Sequence, residues 1–355
     1  MSSQPRLSPK VVAACFIALW QSGAALSEQD QRQEPVTAAN EALKTLDPFI
    51  GQWQTTSVMK YPDGKILQTT GRVETNWMLD GYFGHNRVVL GTGNQAVETL
   101  WIFTFDGPTK TYREWSFSTT GRFDEFVGSW NAQTGLVKTH SINSRRKYQI
   151  NTTTRLIGRD KMVSTIDFQD DRKQWPSEVA TATRISGESA IGGLLGPQRL
   201  KPSRTELKLF APMVGHWKVQ SIVEPNEQFP EGATFNGKWS AKWYLDGHFL
   251  RTQGTSSFNG KRFSFLALST YDPRAKVYRN WTFRSSGSVL ATEGRFDAKT
   301  KTLIWSYVNP KTKQRTFIYD HFVNDELIES TAQIKTIAGQ IQYSQKAKSI
   351  RNEDH

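Results

Sequence analysis

Two short motifs combine an arginine with large aromatic residues at a spacing typical of a strand. Tyr112–Phe117 and Tyr278–Phe283 both read Tyr-Arg-x-Trp-x-Phe. In a strand, alternate side chains share a face. One face of the two motifs carries Arg113, Trp115, Phe117, Arg279, Trp281 and Phe283. If this face lines a cavity, the guanidinium would bind a carboxylate or phosphate while the rings hold an apolar body. These six are therefore the candidate ligand-binding residues, and the alternative is an outer strip where arginine stems cover tryptophan rings.

The two motifs belong to an internal repeat. They lie 166 residues apart, and Trp77–Phe83 recurs as Trp243–Phe249 at the same distance. Gly51–Trp53 recurs as Gly215–Trp217, 164 residues further on. Several motifs in one order at a nearly constant spacing indicate a duplicated domain.

The duplication also tests candidate chemistry, since a reaction performed by both copies needs its residues in both. No histidine recurs, so haem or zinc in both copies is not expected, although a site in one copy stays open. The recurring carboxylates, Asp80 with Asp246 and Asp106 with Asp272, fall at turns. The chain has one cysteine and lacks a Gly-x-Ser-x-Gly elbow. We predict no catalytic residue, no metal and no cofactor.

Strand patterns surround the motifs. Val73, Thr75 and Trp77 alternate with polar residues, as expected of a strand with one buried face. After them, glycine-containing pairs predict two-residue hairpin turns, and these pairs are Asp80-Gly81 and Asp246-Gly247. Short strands about ten residues apart favour a meander, and closure removes the exposed edges of such a sheet.

The predicted fold is therefore all-β, with two tandem antiparallel up-and-down barrels, each preceded by a short helix. Ser203 and Glu206 form a capping-box pattern before the second helix. The predicted divisions are 1–25 for a signal peptide, 26–45 for a disordered stretch and short helix, 46–185 for the first barrel, 186–205 for a linker, 206–345 for the second barrel and 346–355 for a tail.

The ordered set of Gly-x-Trp, Trp-x-Leu-Asp-Gly-x-Phe and an aromatic-Asp turn resembles an uncharacterised family of secreted bacterial lipocalin-like domains. In the wider calycin group, Gly-x-Trp resembles the motif whose tryptophan plugs the closed end of the barrel. The resemblance implies that Trp53 and Trp217 lie at two barrel floors, each below an interior for small apolar ligands. It assigns no catalytic residue, because the function of that family is unknown.

The N-terminal region predicts export. Two basic residues precede the apolar run Val11–Trp20, and small residues follow, so cleavage is expected after Ala24 or Ala25. The run is too short to span a bilayer, which needs about 20 residues. Cys15, the sole cysteine, imitates a lipoprotein cleavage box, but most of the apolar run follows it. We expect a periplasmic or extracellular protein without a membrane span.

The net charge is +12, or +10 without the two basic residues of the signal. Such a surface attracts polyanions, anionic lipid or acidic cell-wall polymer, but the charges are scattered along the chain, so a solvated basic face is the preferred interpretation. Nucleic acid is not an expected partner. The preferred function is binding or carriage of a small lipophilic or amphipathic, perhaps anionic, molecule. The alternatives are a cofactor-independent cyclase or isomerase, and an envelope protein that binds acidic polymers through its basic surface.

Overall fold

Two closed antiparallel barrels of ten strands each make up most of the structure. The structure is a computed structural model and describes residues 41–142, 148–169, 176–186, 191–196 and 200–352. The prediction of an all-β chain with two tandem up-and-down barrels is confirmed.

The first barrel is a continuous meander. Its strands are β1 Gly51–Lys60, β2 Ile66–Met78, β3 Phe83–Leu90, β4 Val97–Asp106, β5 Thr111–Ser118, β6 Phe123–Asn131, β7 Leu136–Ser141, β8 Gln149–Ile157, β9 Lys161–Gln169 and β10 Ser177–Arg184. Each strand pairs with its neighbour in sequence, and β1 pairs with both β2 and β10. The last strand therefore closes onto the first.

The second barrel repeats this order. Its strands are β11 Gly215–Val223, β12 Ala233–Tyr244, β13 Phe249–Phe258, β14 Lys261–Asp272, β15 Val277–Arg284, β16 Val289–Asp297, β17 Thr302–Val308, β18 Arg315–Asn324, β19 Leu327–Lys335 and β20 Ile341–Arg351. Strand β20 pairs with β11 to close it. Residues 346–351, which we assigned to a tail, thus belong to the closing strand, where the residues facing β11 continue the inward pattern.

The buried tryptophan of each first strand identifies the inward face of the wall. In β1, Trp53, Thr55 and Ser57 are buried while Gln54 is exposed. Directly paired residues lie on the same side of a sheet. The inward-facing residues of each strand can therefore be identified from their partners on the preceding strand, from β1 until the barrel closes.

A 3₁₀ helix precedes each barrel. Asp47–Phe49 leads into β1 and Glu206–Met213 leads into β11. The predicted capping box is wrong, because the residue before the second helix is Thr205 and no side-chain hydrogen bond caps it. Because the N-cap position falls at Thr205, Ser203 lies two residues too early to cap the first turn.

The hairpin turns after β2 and β12 are longer than predicted. Met78 pairs with Phe83, so four residues connect the strands. Leu79, Asp80 and Gly81 all have positive φ, at 52°, 59° and 84°, and residues 245–247 repeat the pattern. Asp and Gly adopt this region readily, while Leu does so only where the turn demands it.

The predicted linker contains an ordered segment. A short 3₁₀ helix, Ile191–Leu194, lies within it, and Ile191 is buried. Gly93 on the β3–β4 connection donates its N–H to the Leu194 carbonyl, and Gly196 donates back to Gly93. The predicted signal peptide and Cys15 lie outside the described residues.

Candidate functional site

The six predicted ligand-binding residues lie on the outer face of the walls. Tyr112 pairs with Phe105, in the inward row that the register carries from Trp53. Its neighbours at odd positions, Arg113, Trp115 and Phe117, therefore point outward. The register followed from Trp217 places Tyr278 inward by the same rule, and so Arg279, Trp281 and Phe283 point outward. The predicted interior position is wrong because alternation identifies a shared face without telling which side is the inside.

The outward arginines have structural contacts. Arg113 lies with its guanidinium carbon 5.0 Å from the centre of the Trp115 ring and 3.7 Å from a Glu125 oxygen. Arg279 forms ion pairs with Asp272 at 3.0 Å and with Glu293 at 3.1 Å. These contacts stabilise the barrel wall, and they engage both arginines with groups of the protein.

The barrel floors are built alike. Trp53 is fully buried and donates its indole N–H to the Phe49 carbonyl at 3.2 Å, while Trp217 donates to Met213 at 2.9 Å. Over each ring lies an arginine from the closing strand. Arg184 is 4.1 Å from the Trp53 ring and Arg351 is 4.5 Å from the Trp217 ring.

Each of these arginines also binds three main-chain carbonyls. Arg351 reaches Pro212 and Val214 at 2.8 Å and Asp325 at 2.7 Å, and Arg184 repeats the arrangement on the first barrel. Every guanidinium edge is thus engaged with the helix entry and a turn. The tryptophan, the arginine and the main-chain carbonyls of each floor therefore form a structural unit, and the Trp217 ring also borders a groove on the second barrel.

Above its floor, the first barrel is accessible inside. The inward residues of β3 and β4 are half-buried although they point into a closed barrel, and they include Asn86, Val88, Trp101 and Phe103. On the opposite wall, inward residues of β8 and β9 show the same partial exposure. A closed wall with exposed inward side chains encloses space that solvent reaches.

Glu114 faces this space from β5. Its direct partners across the ladder are Phe103 and Phe126, so aromatic rings flank the carboxylate on both sides. The Trp101 and Phe126 ring centres are 5.2 Å apart. Thr139 donates a hydrogen bond of 3.3 Å to Glu114 Oε2. Burial raises the pKa of Glu114 to about 7, and the Thr139 hydrogen bond opposes that rise.

Other inward polar residues of the first barrel are mostly partnered. Ser57 donates to Glu178 at 2.6 Å, and Thr154 lies 2.9 Å from Ser164. Asp124 is a third inward carboxylate, beside Ser116 in the register. Among the inward positions of the described strands β1–β10, the one basic residue is Arg184 at the floor. The interior is therefore acidic and rich in hydrogen-bond acceptors.

The interior of the second barrel differs. Its inward residues are buried where those of the first barrel are half-exposed, as Thr252, Ala267 and Ser269 show. Asp320 accepts a hydrogen bond of 2.8 Å from the Trp305 indole and a short one from Ser330. Arg284, the last residue of β15, points inward near the end of the barrel opposite the floor.

Arg284 is 7% exposed, and its Nε and Nη2 have no hydrogen-bond partner. Its one hydrogen bond joins Nη1 to Ser288 Oγ at 3.3 Å. Burial lowers the pKa of Arg284 to about 10, so the side chain still carries its charge at neutral pH.

A groove of about 500 Å³ lies on the second barrel. The exposed Lys238 and Arg262 supply its charge, and no acidic side chain lines it. In the part of the chain that the structure describes, no group of three or more His, Cys, Asp or Glu side chains could hold a metal ion. The same residues include no helix long and apolar enough to cross a membrane.

Sequence reasoning missed Glu114 and Arg284 because it searched for chemistry that recurs between the copies. At the equivalent positions stand Asn280 and Ser118, so neither group recurs. The signal that could have found them is the recurring tyrosine of the motif. Tyr112 packs into the floor cluster around Trp53, which makes every second residue after it inward.

Comparisons with known proteins find one family model that is similar to the second copy. Residues 203–346 match the model of a family described as a protein of unknown function (DUF1579). No curated protein matches the chain. The match agrees with the expected resemblance to an uncharacterised barrel family, while secretion stays a prediction.

Two solved structures resemble the chain weakly and at low sequence identity. A protein of unknown function of the DUF3598 family from Nostoc punctiforme is 9% identical, covers 88% of this chain and 99% of its own, and has a TM-score of 0.26. An S-type phycobiliprotein lyase from Guillardia theta is 13% identical, covers 43% of this chain and 96% of its own, with a TM-score of 0.32. These values are too low for an argument about function.

Proposed function

We propose that the protein is an exported small-molecule binding or carrier protein, and that the first barrel holds an amphipathic ligand with an amine or ammonium head. The observation that carries this proposal is the accessible interior of a closed barrel whose floor is sealed. Half-exposed inward aromatic and polar side chains at the same depth are typical of ligand pockets.

The charge of the interior selects the head group. Glu114 lies between two aromatic rings, with a third ring beside Phe126. A cation gains from the faces of such rings and from the carboxylate together. The inward Asp124 and Glu178 add to the negative field. An anionic head would meet three carboxylates, so the anion that Arg113 would have bound is not expected here.

The proposal is tested by calorimetric titration with three probes of one chain length: octylamine, octanol and octanoate. We expect octylamine to bind the full chain more tightly than octanol does, and octanoate not to compete with octylamine for the first barrel. Glu114→Gln should weaken octylamine binding by about tenfold to a hundredfold, the loss typical of a charged hydrogen bond. Glu125→Gln is the matched control, because it removes the same charge from the outward face of the neighbouring strand.

Equal binding of the three probes, or unchanged octylamine affinity in Glu114→Gln, would contradict the proposal. The wild-type chain supplies a second test that no variant can confound. Because the pKa of Glu114 is about 7, a bound cation should displace its proton. Octylamine affinity should then fall by up to about tenfold per pH unit below 7. The other titratable groups facing the interior are Tyr112, Asp124 and Glu178.

A second candidate function is supported by the groove with Lys238 and Arg262. Two exposed cations in an open groove without an acidic residue suit an acidic polymer of the envelope. Binding of polyglutamate should then collapse between about 50 and 500 mM salt, because exposed charges are screened. The double variant Lys238→Gln with Arg262→Gln should abolish it. Polymer binding that persists in the double variant would exclude the groove.

A further inference from the structure

We infer that the interior of the second barrel is a separate binding site for a carboxylate or phosphate head group, with Arg284 as the anchor. This site is independent of the first barrel, because it uses other residues and the opposite charge. Two observations carry it: a buried guanidinium with an unoccupied edge, and unsatisfied buried hydroxyls on the neighbouring strands.

The free edge of Arg284 has the geometry of an anion receptor. Nε–H and Nη2–H point the same way from one side of the planar guanidinium, and both lack a partner. That edge matches the two oxygens of a carboxylate or phosphate in a bidentate pair. A buried cation left without such a partner is strongly unfavourable. A bound anion would supply the partner that the Arg284 guanidinium lacks.

Neighbouring inward hydroxyls are also unsatisfied. Thr252, Ser256 and Thr292 are buried, and the hydroxyl oxygen of each lacks a hydrogen-bond partner. They lie on β13 and β16, the strands on either side of the β14–β15 hairpin that carries Arg284. Buried polar atoms are nearly always satisfied by protein or by bound molecules. These hydroxyls therefore mark a polar interior that accommodates a hydrogen-bonding guest.

The repeat shows how the inward positions near Arg284 differ from those of the first copy. Ala267 and Ser269 stand at the positions that Trp101 and Phe103 occupy in the first copy. Ala267 pairs with Thr282, two residues before Arg284 on the same inward face. Two large rings of the first barrel are thus replaced by small side chains near the arginine, while Phe265, which pairs with Arg284, stands at the position of Thr99.

No inward carboxylate competes for the guanidinium. Asp320 is the acidic residue among the inward positions of the described strands β11–β20, and the Trp305 indole and the Ser330 hydroxyl bind its oxygens. The aromatic cluster Phe229, Phe235 and Phe258 lies toward the same end of the barrel as Arg284 and would contact the apolar part of a ligand. The class of ligand that fits is an amphipathic anion such as a fatty acid or an alkyl phosphate.

The test is calorimetric titration of the full chain with octanoate, with octanol as the uncharged probe. Octanoate should bind the wild type at least tenfold more tightly than octanol. Arg284→Gln should remove that preference. The matched control, Arg295→Gln, removes the same charge from an exposed position on β16 and should leave it intact.

Two further measurements keep the inference testable if Arg284→Gln fails to fold. Ala267→Trp restores the ring of the first copy and should block octanoate while Arg284 stays in place. In the wild type, the NMR signal of the Arg284 Nε–H should shift on addition of octanoate. Equal affinity for octanoate and octanol, or an unmoved Nε–H signal, would overturn the inference. Neither result affects octylamine binding to the first barrel, so the two sites fail or stand separately.

Discussion

Glu114 holds a carboxylate where the surroundings favour the neutral acid. The flanking Phe103 and Phe126 withdraw it from water, and Thr139 offers a single hydrogen bond. The folded protein therefore keeps a proton on Glu114 up to about pH 7, while the unfolded chain releases it near the ordinary value of 4.5. Between those values the folded state binds more protons, so stability falls as pH rises.

Replacing Glu114 by Gln should therefore stabilise the protein at high pH. The ordinary pKa of 4.5 and the folded-state pKa of about 7 set the window. The gain should be near zero at pH 4 and reach roughly 3 kcal/mol at pH 8, since one pKa unit corresponds to about 1.4 kcal/mol. Urea unfolding at both pH values measures it. An equal effect at pH 4 and pH 8 would show that Glu114 ionises normally.

At this scale, sequence predicted which residues share a face and failed on which face is inside. The motif Tyr112–Phe117 has an arginine and aromatic residues on one side and Tyr112, Glu114 and Ser116 on the other. Both sides carry aromatic residues, so composition does not separate them. Only the register from Trp53 resolves the choice, and register is a property of paired strands rather than of one segment.

Each barrel is stabilised by side-chain contacts at the ends of its strands as well as by the hydrogen bonds between strands. Each barrel floor joins a 3₁₀ helix, the first strand and the last strand through one arginine. Arg351 stacks on Trp217 and holds the carbonyls of Pro212, Val214 and Asp325. Sequence predicted the strands and the tryptophan but assigned Arg351 to a tail. Trp217 and Arg351 are distant in sequence, so no pattern within either segment predicts that they are in contact.

Arg351→Met should destabilise the second barrel by about 3 to 5 kcal/mol, because three hydrogen bonds from a charged donor and a ring contact are lost. Lys348→Met is the matched control, since Lys348 is exposed on the same strand and should change stability by less than about 0.5 kcal/mol. Thermal unfolding by circular dichroism gives both values. Similar melting temperatures for the two variants would exclude the role of Arg351 as a support of the floor.

Across the whole molecule, duplication conserved the scaffold and changed the interiors. Floor tryptophans, their arginines and the turn residues recur in both copies. In contrast, Asn280 stands at the position equivalent to Glu114, and Ser118 stands at the position equivalent to Arg284. A search for recurring residues therefore finds the fold and overlooks the chemistry. Binding of opposite charges by two copies of one domain is the outcome that this divergence favours.

The two sites should consequently fill independently. Each is lined by strands of its own closed barrel, so octylamine and octanoate do not share residues. Titration of octylamine into octanoate-saturated protein should give the same affinity, within about twofold, as titration into free protein. Mutual displacement of the two probes would mean that they occupy one site.

Export gives a prediction of its own. N-terminal sequencing of the protein from the envelope fraction should find a start after Ala24 or Ala25, as the apolar run Val11–Trp20 indicates. Cys15→Ser should leave cleavage and location unchanged. Loss of a lipid anchor in that variant would instead establish the lipoprotein alternative.

The ladder that closes each barrel has a kinetic consequence. Strand β1 pairs with β10 and β11 pairs with β20. Each barrel can therefore close only when the last strand of its copy pairs with the first. Contacts between such distant segments form late, because the loop entropy must be lost before they contribute. For the export that we propose, late closure of the barrels would leave the chain unfolded long enough to pass through a narrow channel.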